Sequence, residues 1–280
     1  TITTSGTGIQ YVVLKINIMK NSVLFRLLLV IPLGSGLLLL SACNKKDNNG
    51  GITGSITDID GNTYKTIVAG SQEWMAENLK VTRYKNGEAI PTGLSQSEWD
   101  NTTNGAYAIY DNNESMGEAY GLLYNWYAAT SSKGLCPEGW HVPSDDEWTQ
   151  FFDYLIASNS QATEENLGIM LKSCRKVNSL LGGNCSTSVH PRWDSGGTHD
   201  GTDDFGFSGL PGGVLFIDGL YDALGHAAVW WTTSEVDYGD GNMSEDEVAW
   251  FLELGMHYEF VFRNWEWKAT GCSIRCVRNL

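Results

Sequence analysis

The feature that most constrains this chain is an apolar run of about fourteen residues, Leu27 to Leu40, which ends in Ser41-Ala42-Cys43. Met19-Lys20 and Arg26 place positive charge ahead of it. A basic leader, a short apolar stretch and small residues at its end are the three parts of a secretory signal. Pro32, Gly34 and Gly36 interrupt the run. It is also shorter than the roughly 20 apolar residues that span a bilayer. Residues 19–42 therefore read as an export signal, and the folded part must lie beyond it. Residues 1–18 begin without Met and precede a complete leader. They read as a non-native upstream extension, with the start at Met19.

Leu40-Ser41-Ala42-Cys43 resembles the lipobox of bacterial lipoproteins. That resemblance implies cleavage before Cys43 and acylation of its thiol, an anchor of two or more chains, since one chain holds only marginally. The alternative is an ordinary secreted protein with an unrelated cysteine. The expected location is the outer membrane, on its periplasmic or its cell-surface face. Residues 43–54 are polar and glycine-rich, a flexible tether. Residues 55–280 are expected to form one domain.

Removing 1–42 leaves about 238 of 280 residues, enough for a sizeable core. The net charge of −15 excludes nucleic acid and anionic lipid surfaces as natural partners. Eleven Trp, twelve Tyr and 32 Gly with six Pro suggest a loop-rich domain. Its aromatics serve as core or as amphipathic contact surface.

Strand and turn signals alternate from Ile56 onward. Asp60-Gly61 and Asn86-Gly87 mark hairpins, and Ala69 to Gln72 a further turn. Tyr120 to Ala129 fits strand or helix. Ser144-Asp145-Asp146-Glu147 is a capping box, and Trp148, Phe151, Phe152 and Leu155 follow at helical spacing. A second helix is expected over 163–173, and a long loop over 178–204. Strands are expected at 210–215, 228–233, 248–254, 259–262 and 273–277. The fold class is α+β: one loop-rich domain of short antiparallel strands and about two helices.

Several segments together carry a family resemblance. They are Asp58-Ile-Asp-Gly-Asn-Thr-Tyr64, Gln72-Glu-Trp-Met-Ala-Glu-Asn-Leu79, Gly121-Leu-Leu-Tyr-Asn-Trp-Tyr127 and Gly134-Leu-Cys-Pro-Glu-Gly-Trp-His-Val-Pro-Ser144. Further along stand Thr202-Asp-Asp-Phe-Gly-Phe-Ser208, Leu210-Pro-Gly-Gly213, Trp230-Trp-Thr232 and Ser273-Ile-Arg-Cys-Val-Arg278. The chain resembles the Fibrobacter succinogenes major paralogous domain of surface and secreted proteins in Bacteroidetes and Fibrobacteres. The resemblance implies a C-type-lectin-like fold, of the superfamily that also holds the formylglycine-generating enzymes. It implies no particular activity.

Cys136 and Cys276 lie in two of those motifs and are expected to pair. Cys174 and Cys185 flank Gly182-Gly183 and are expected to close a small loop, leaving Cys272 as a free thiol. The formylglycine-generating resemblance suggests a copper site at Cys272 and Cys276. Four residues of strand separate them by roughly 13 Å, too far to share a metal unless a bulge intervenes. No His-Glu-x-x-His helix, nucleophile elbow, phosphate loop or dinucleotide fingerprint occurs, which points away from an enzyme. His141, His190, His199, His226 and His257 show no ligand spacing, and His141 is expected to be packed beside Trp140.

Asp200, Asp203 and Asp204 could gather oxygens for calcium or could cap a solvated turn. The acidic run 237–247 lacks EF-hand spacing and reads as a charged loop. Trp193, Trp230 and Trp231 stand near these loops. Adjacent strand residues face opposite ways, so one of Trp230 and Trp231 is expected near the surface. With Trp193, Asp203 and Asp204 it would form a ligand site. The resulting expectation is a non-catalytic module holding glycan or protein at a surface, with no cofactor beyond a possible calcium ion. An oxidase of the copper type and a structural part of a larger assembly are the alternatives.

Overall fold

The computed structural model describes residues 52–173, 191–194, 201–236 and 247–280. They fall within one compact unit, Asp47–Leu280. Cys43, Cys174, Cys185, His190, His199, Asp200 and the acidic residues 237–246 lie outside the described residues, with the expectations attached to them.

Four strands build the first sheet: β1 (Ile52–Thr57), β2 (Thr63–Ala69), β3 (Gln72–Met75) and, from the far end of the chain, β11 (Val277–Asn279). Their order is β1-β2-β3-β11, antiparallel throughout. The β1–β2 turn is set by Asp58. Its carboxylate accepts the N–H groups of Asp60 and Asn62 and the Tyr64 hydroxyl, while Gly61 takes φ +89°. An Asx turn followed by a left-handed glycine reverses the chain, as Asp60-Gly61 predicted.

The second sheet orders β10 (Phe262–Trp267), β9 (Val248–Gly255) and β8 (Ala227–Glu235). Two small pairs complete the strands: β4 (Tyr107–Ala108) with β5 (Leu123–Tyr124), and β6 (Gly212–Leu215) with β7 (Tyr221–Leu224).

The α+β class holds, and five α-helices are described: α1 (Gln96–Asn101), α2 (Glu114–Tyr120), α3 (Trp126–Ala129), α4 (Asp145–Ser158) and α5 (Leu167–Leu171), the last two where helices were expected. None is long and apolar enough to cross a membrane. The Ser144 capping box forms, with Ser144 Oγ accepting the Glu147 N–H and Glu147 accepting the Ser144 N–H. α4 buries Trp148, Phe151 and Leu155. The Trp148 ring lies 4.5 Å from Trp74, and Phe151 4.7 Å. The Tyr120–Ala129 ambiguity resolves into both answers. Between strand β5 and helix α3 stands Asn125, a fully buried residue whose side-chain Oδ1 caps the Ala128 N–H and also accepts the Ala106 N–H.

Two strand expectations shift. The window 259–262 gives way to β10, which starts at Phe262, and the ladder over 273–277 shrinks to β11 alone. Residues 272–277 run extended but change neighbours at nearly every step. Cys272 bridges Tyr124, Ser273 bridges Trp230, and Val277 bridges His141. The carbonyls of Ile274 and Cys276 accept from Leu79 and Met75. This segment is a spine touching every layer, so it forms no continuous ladder.

Candidate functional site

The spine explains where the motifs go. Asn78, 3 % exposed, is the hub. Its amide nitrogen donates to the Tyr120 carbonyl at 2.8 Å and to Ser273 Oγ at 3.2 Å. Its oxygen accepts from Trp230 Nε1 at 2.9 Å and Arg275 Nε at 3.0 Å. Arg275, 1 % exposed, also donates to the carbonyls of Met75, Phe207 and Ser208, and its guanidinium stacks 4.0 Å from the Phe207 ring centroid. Burial pulls the guanidinium down from its ordinary value, and Asp203 and Glu77 oppose that pull. Four of the motifs, with Tyr120, thus meet in one buried polar network, which low dielectric makes costly to break.

Of the residues expected to form a ligand site, Trp193, Asp203, Trp230 and Trp231 are buried and Asp204 alone is exposed. Both faces of β8 are covered, Trp231 packing into one core cluster and Trp230 into the other, and the spine covers its free edge. All three indole N–H groups meet backbone carbonyls or Asn78. Asp203 is buried at φ +53° and accepts the backbone N–H and hydroxyl of Ser208. Burial lifts its carboxyl above the ordinary range, against those two bonds. Asp204 accepts from Thr202. Asp203 thus caps a buried turn, while Asp204 beside it is exposed. Among the described residues no group of three His, Cys, Asp or Glu could hold a metal ion.

Cys136 and Cys276 form a disulfide with their Cα atoms 5.9 Å apart. Cys272 is free and fully buried, and burial pushes its thiol well up. With Cys276 bonded to Cys136, no two-thiolate site exists between Cys272 and Cys276. His141 is not packed as expected. Its side chain is 44 % exposed, and Nε2 meets Glu147 Oε1 at 2.6 Å.

The open site lies instead along Thr130–Val142, in a cleft of about 660 Å³. The disulfide ties one wall to the spine, the Lys85 N–H to the Gly134 carbonyl holds the rim, and the Thr233 N–H to the Pro143 carbonyl fixes the far side. Trp126 and Trp140 supply the aromatic walls, and Ser131 and Thr233 hydroxyls. The Trp126 indole donates to the Thr232 carbonyl, whereas Trp140 Nε1 is buried with no acceptor among the described residues. The ionic groups at the rim are each matched. Glu235 meets Lys268 at 2.6 Å, Lys85 meets Glu138 at 3.3 Å, and His141 meets Glu147. Lys268 lies 4.2 Å over the Trp126 ring centroid. Burial would raise the Glu147 carboxyl, but the Ser144 N–H, His141 and the Ser144 hydroxyl outweigh it and hold the group below its ordinary value. Sequence reading named Trp140 and His141 only as structural. The cleft draws on segments near 85, 126–142 and 233–235, which no local pattern joins.

No curated protein and no solved structure matches the chain. A family model does, over residues 67–278, which takes in the spine, the hub and the cleft: the chain belongs to the Fibrobacter succinogenes major domain family.

Proposed function

We propose that this protein is a non-catalytic binding module, exported and anchored to the outer membrane through Cys43, that holds a neutral, hydroxyl-rich ligand of the glycan class in the cleft beside Trp140. A C-type-lectin-like ancestry is part of this reading, supported by the loop-rich α+β architecture of small antiparallel sheets. The observation that carries the ligand class is the pairing of the rim charges. An ionic ligand would have to break the Glu235–Lys268 or Lys85–Glu138 pair. A neutral polyol can instead add hydrogen bonds to those groups and to Ser131 and Thr233. A cleft of this volume takes a short oligosaccharide.

The test is a glycan array probed with the full chain in detergent, beside a Ser131→Trp variant that fills the cleft. Binding of one glycan class by the native chain, lost in the variant, is expected. An empty array, or binding that survives the variant, overturns the proposal. The anchor is tested separately: cells fed a labelled fatty acid should label the native protein and not Cys43→Ser.

A further inference from the structure

One edge of the first sheet, strand β1, is open. Within the β1–β2 ladder, Ser55 stands opposite Lys65. The Lys65 N–H is taken by the Glu77 carboxylate at 2.7 Å, and the Lys65 carbonyl by the Ala76 N–H at 2.8 Å, both on the side away from β1. The Ser55–Lys65 pair therefore exchanges no backbone bonds. Antiparallel alternation then turns the N–H and C=O of Ser55 outward, and those of Thr57 two residues on. No described residue meets these groups, and Ser55 and Thr57 are both exposed.

The other edges of the two larger sheets carry partners from within the chain. Val277 of β11 exchanges both of its bonds with His141, and Ser273 lies along β8. On β10 the Trp267 N–H goes to the Glu266 side chain and its carbonyl to the Thr270 N–H. Edges left bare are usually blunted by charge or proline. Residues 52–57, Ile-Thr-Gly-Ser-Ile-Thr, hold neither. The strand also complements itself. Turned end for end about Ile56, it sets Ser55 against Thr57 and Thr57 against Ser55, each pair exchanging two bonds. The two Ile56 side chains then meet at the closely spaced position between those pairs. No like charges face each other across this seam, despite the net charge of −15 on each chain.

We infer that β1 pairs with β1 of a second copy of this chain, antiparallel about a two-fold axis at Ile56, joining the two sheets into one. The self-complementary pattern favours a second copy over a strand of another protein. The contact is small, so the pairing is transient in dilute solution. It does not draw on the glycan reading. Anchoring through Cys43 would raise its occupancy, because copies held on one membrane meet at a high effective concentration.

Oxidation of the full chain carrying Ile56→Cys, in detergent solution, tests this. The disulfide-linked dimer on a non-reducing gel should exceed that of Gln150→Cys, an exposed position on α4, by about tenfold, because the two-fold axis brings the residue 56 side chains together. Adding Ser55→Pro should cut the yield by about tenfold, since it removes two of the four intermolecular bonds. The Ser55 N–H makes no bond to β2, so proline there leaves the sheet intact, which an unchanged thermal midpoint verifies. Thr57→Pro, by the same reasoning, is the second variant. A yield from Ile56→Cys no greater than that from Gln150→Cys overturns the inference and leaves the edge to a strand of another protein. A dimer that survives both prolines in folded chains overturns it as well. Because β1 contributes nothing to the Trp140 cleft, either failure leaves the glycan proposal standing.

Discussion

Replacing Arg275 tests whether the hub holds the motifs together. The guanidinium donates four hydrogen bonds, to Asn78 Oδ1 and to the carbonyls of Met75, Phe207 and Ser208. In Arg275→Met these acceptors lose their donor inside the core. At about 1 kcal/mol each, that costs about 4 kcal/mol. Against it stands relief from burying a charge, which in other buried pairs reaches about 1–4 kcal/mol. The charge here lies opposite Asp203 and Glu77, so removing it also leaves buried Asp203 less compensated, and relief should fall at the low end. The net expectation is a loss of about 2–4 kcal/mol. Arg275→Ala should lose about 1–2 kcal/mol more, because a cavity replaces the side chain that stacks on Phe207. Urea unfolding followed by tryptophan fluorescence reads both, as a fall in midpoint of about 0.7–1.3 M for Arg275→Met and about 1–2 M for Arg275→Ala at a slope near 3 kcal/mol/M. Combining Arg275→Met with Asn78→Ala should give a coupling of at least about 1 kcal/mol, since the two side chains share a bond. If Arg275→Met unfolds within about 0.5 kcal/mol of the native chain, the buried charge is nearly balanced by its own desolvation, and the hub is not what holds these segments.

Three further outcomes follow from the same geometry. Cys136 and Cys276 are 140 residues apart, so in the chain-entropy model their double replacement by Ser costs up to about 5 kcal/mol. Unfolding that is unchanged by the replacement would contradict the pinning of the cleft wall. Glu147 has a folded-state pKa below its unfolded one. Its contribution is full above the ordinary carboxylate value and is lost as pH falls through the folded value. Glu147→Gln should remove that acid-side slope from a stability–pH curve and cost about 1 kcal/mol at pH 7 through the weakened cap. Gly121 has φ +87°, and a Cβ there would sit 2.6 Å from that of Asn78. Gly121→Ala should lower the thermal midpoint by several degrees, and an unchanged midpoint would mean that the hub tolerates displacement.

How much could be read without coordinates depended on whether the cause was local. The Ser144–Glu147 box is local and was readable, as were the Asp60-Gly61 and Ala69–Gln72 turns. The same box at Ser95–Glu98 caps α1, yet it went unread, because Trp99 alone is buried there and no stripe announces a helix. Residues 272–277 look like a strand by composition. Their hydrogen bonds go to partners from Met75 to Trp231, a pattern set by tertiary neighbours and invisible in the segment itself. Trp230 and Trp231 follow strand alternation as expected. What local reasoning missed is that both faces of β8 meet a core. The Cys136–Cys276 bond came from the family resemblance rather than from spacing.

The burial of the motifs also bears on how function should be sought in this family. A segment such as Gln72–Leu79 or Ser273–Arg278 identifies the family because it builds the hub and the spine, where almost any change strands a polar group. Such residues report fold, and their sharing between chains carries no information about a ligand. Of the segments that mark the resemblance, Gly134–Ser144 runs along the cleft and Gly121–Tyr127 adds Trp126, and even there the disulfide, the Val277 bridge and the Trp126–Thr232 bond serve the fold. The positions free to specify a ligand are those the network does not use: Ser131, Thr233 and Glu235 at the cleft. Chains with the same hub can therefore bind different partners, and differences among relatives at these three positions, rather than identities at the hub, should track what each one holds.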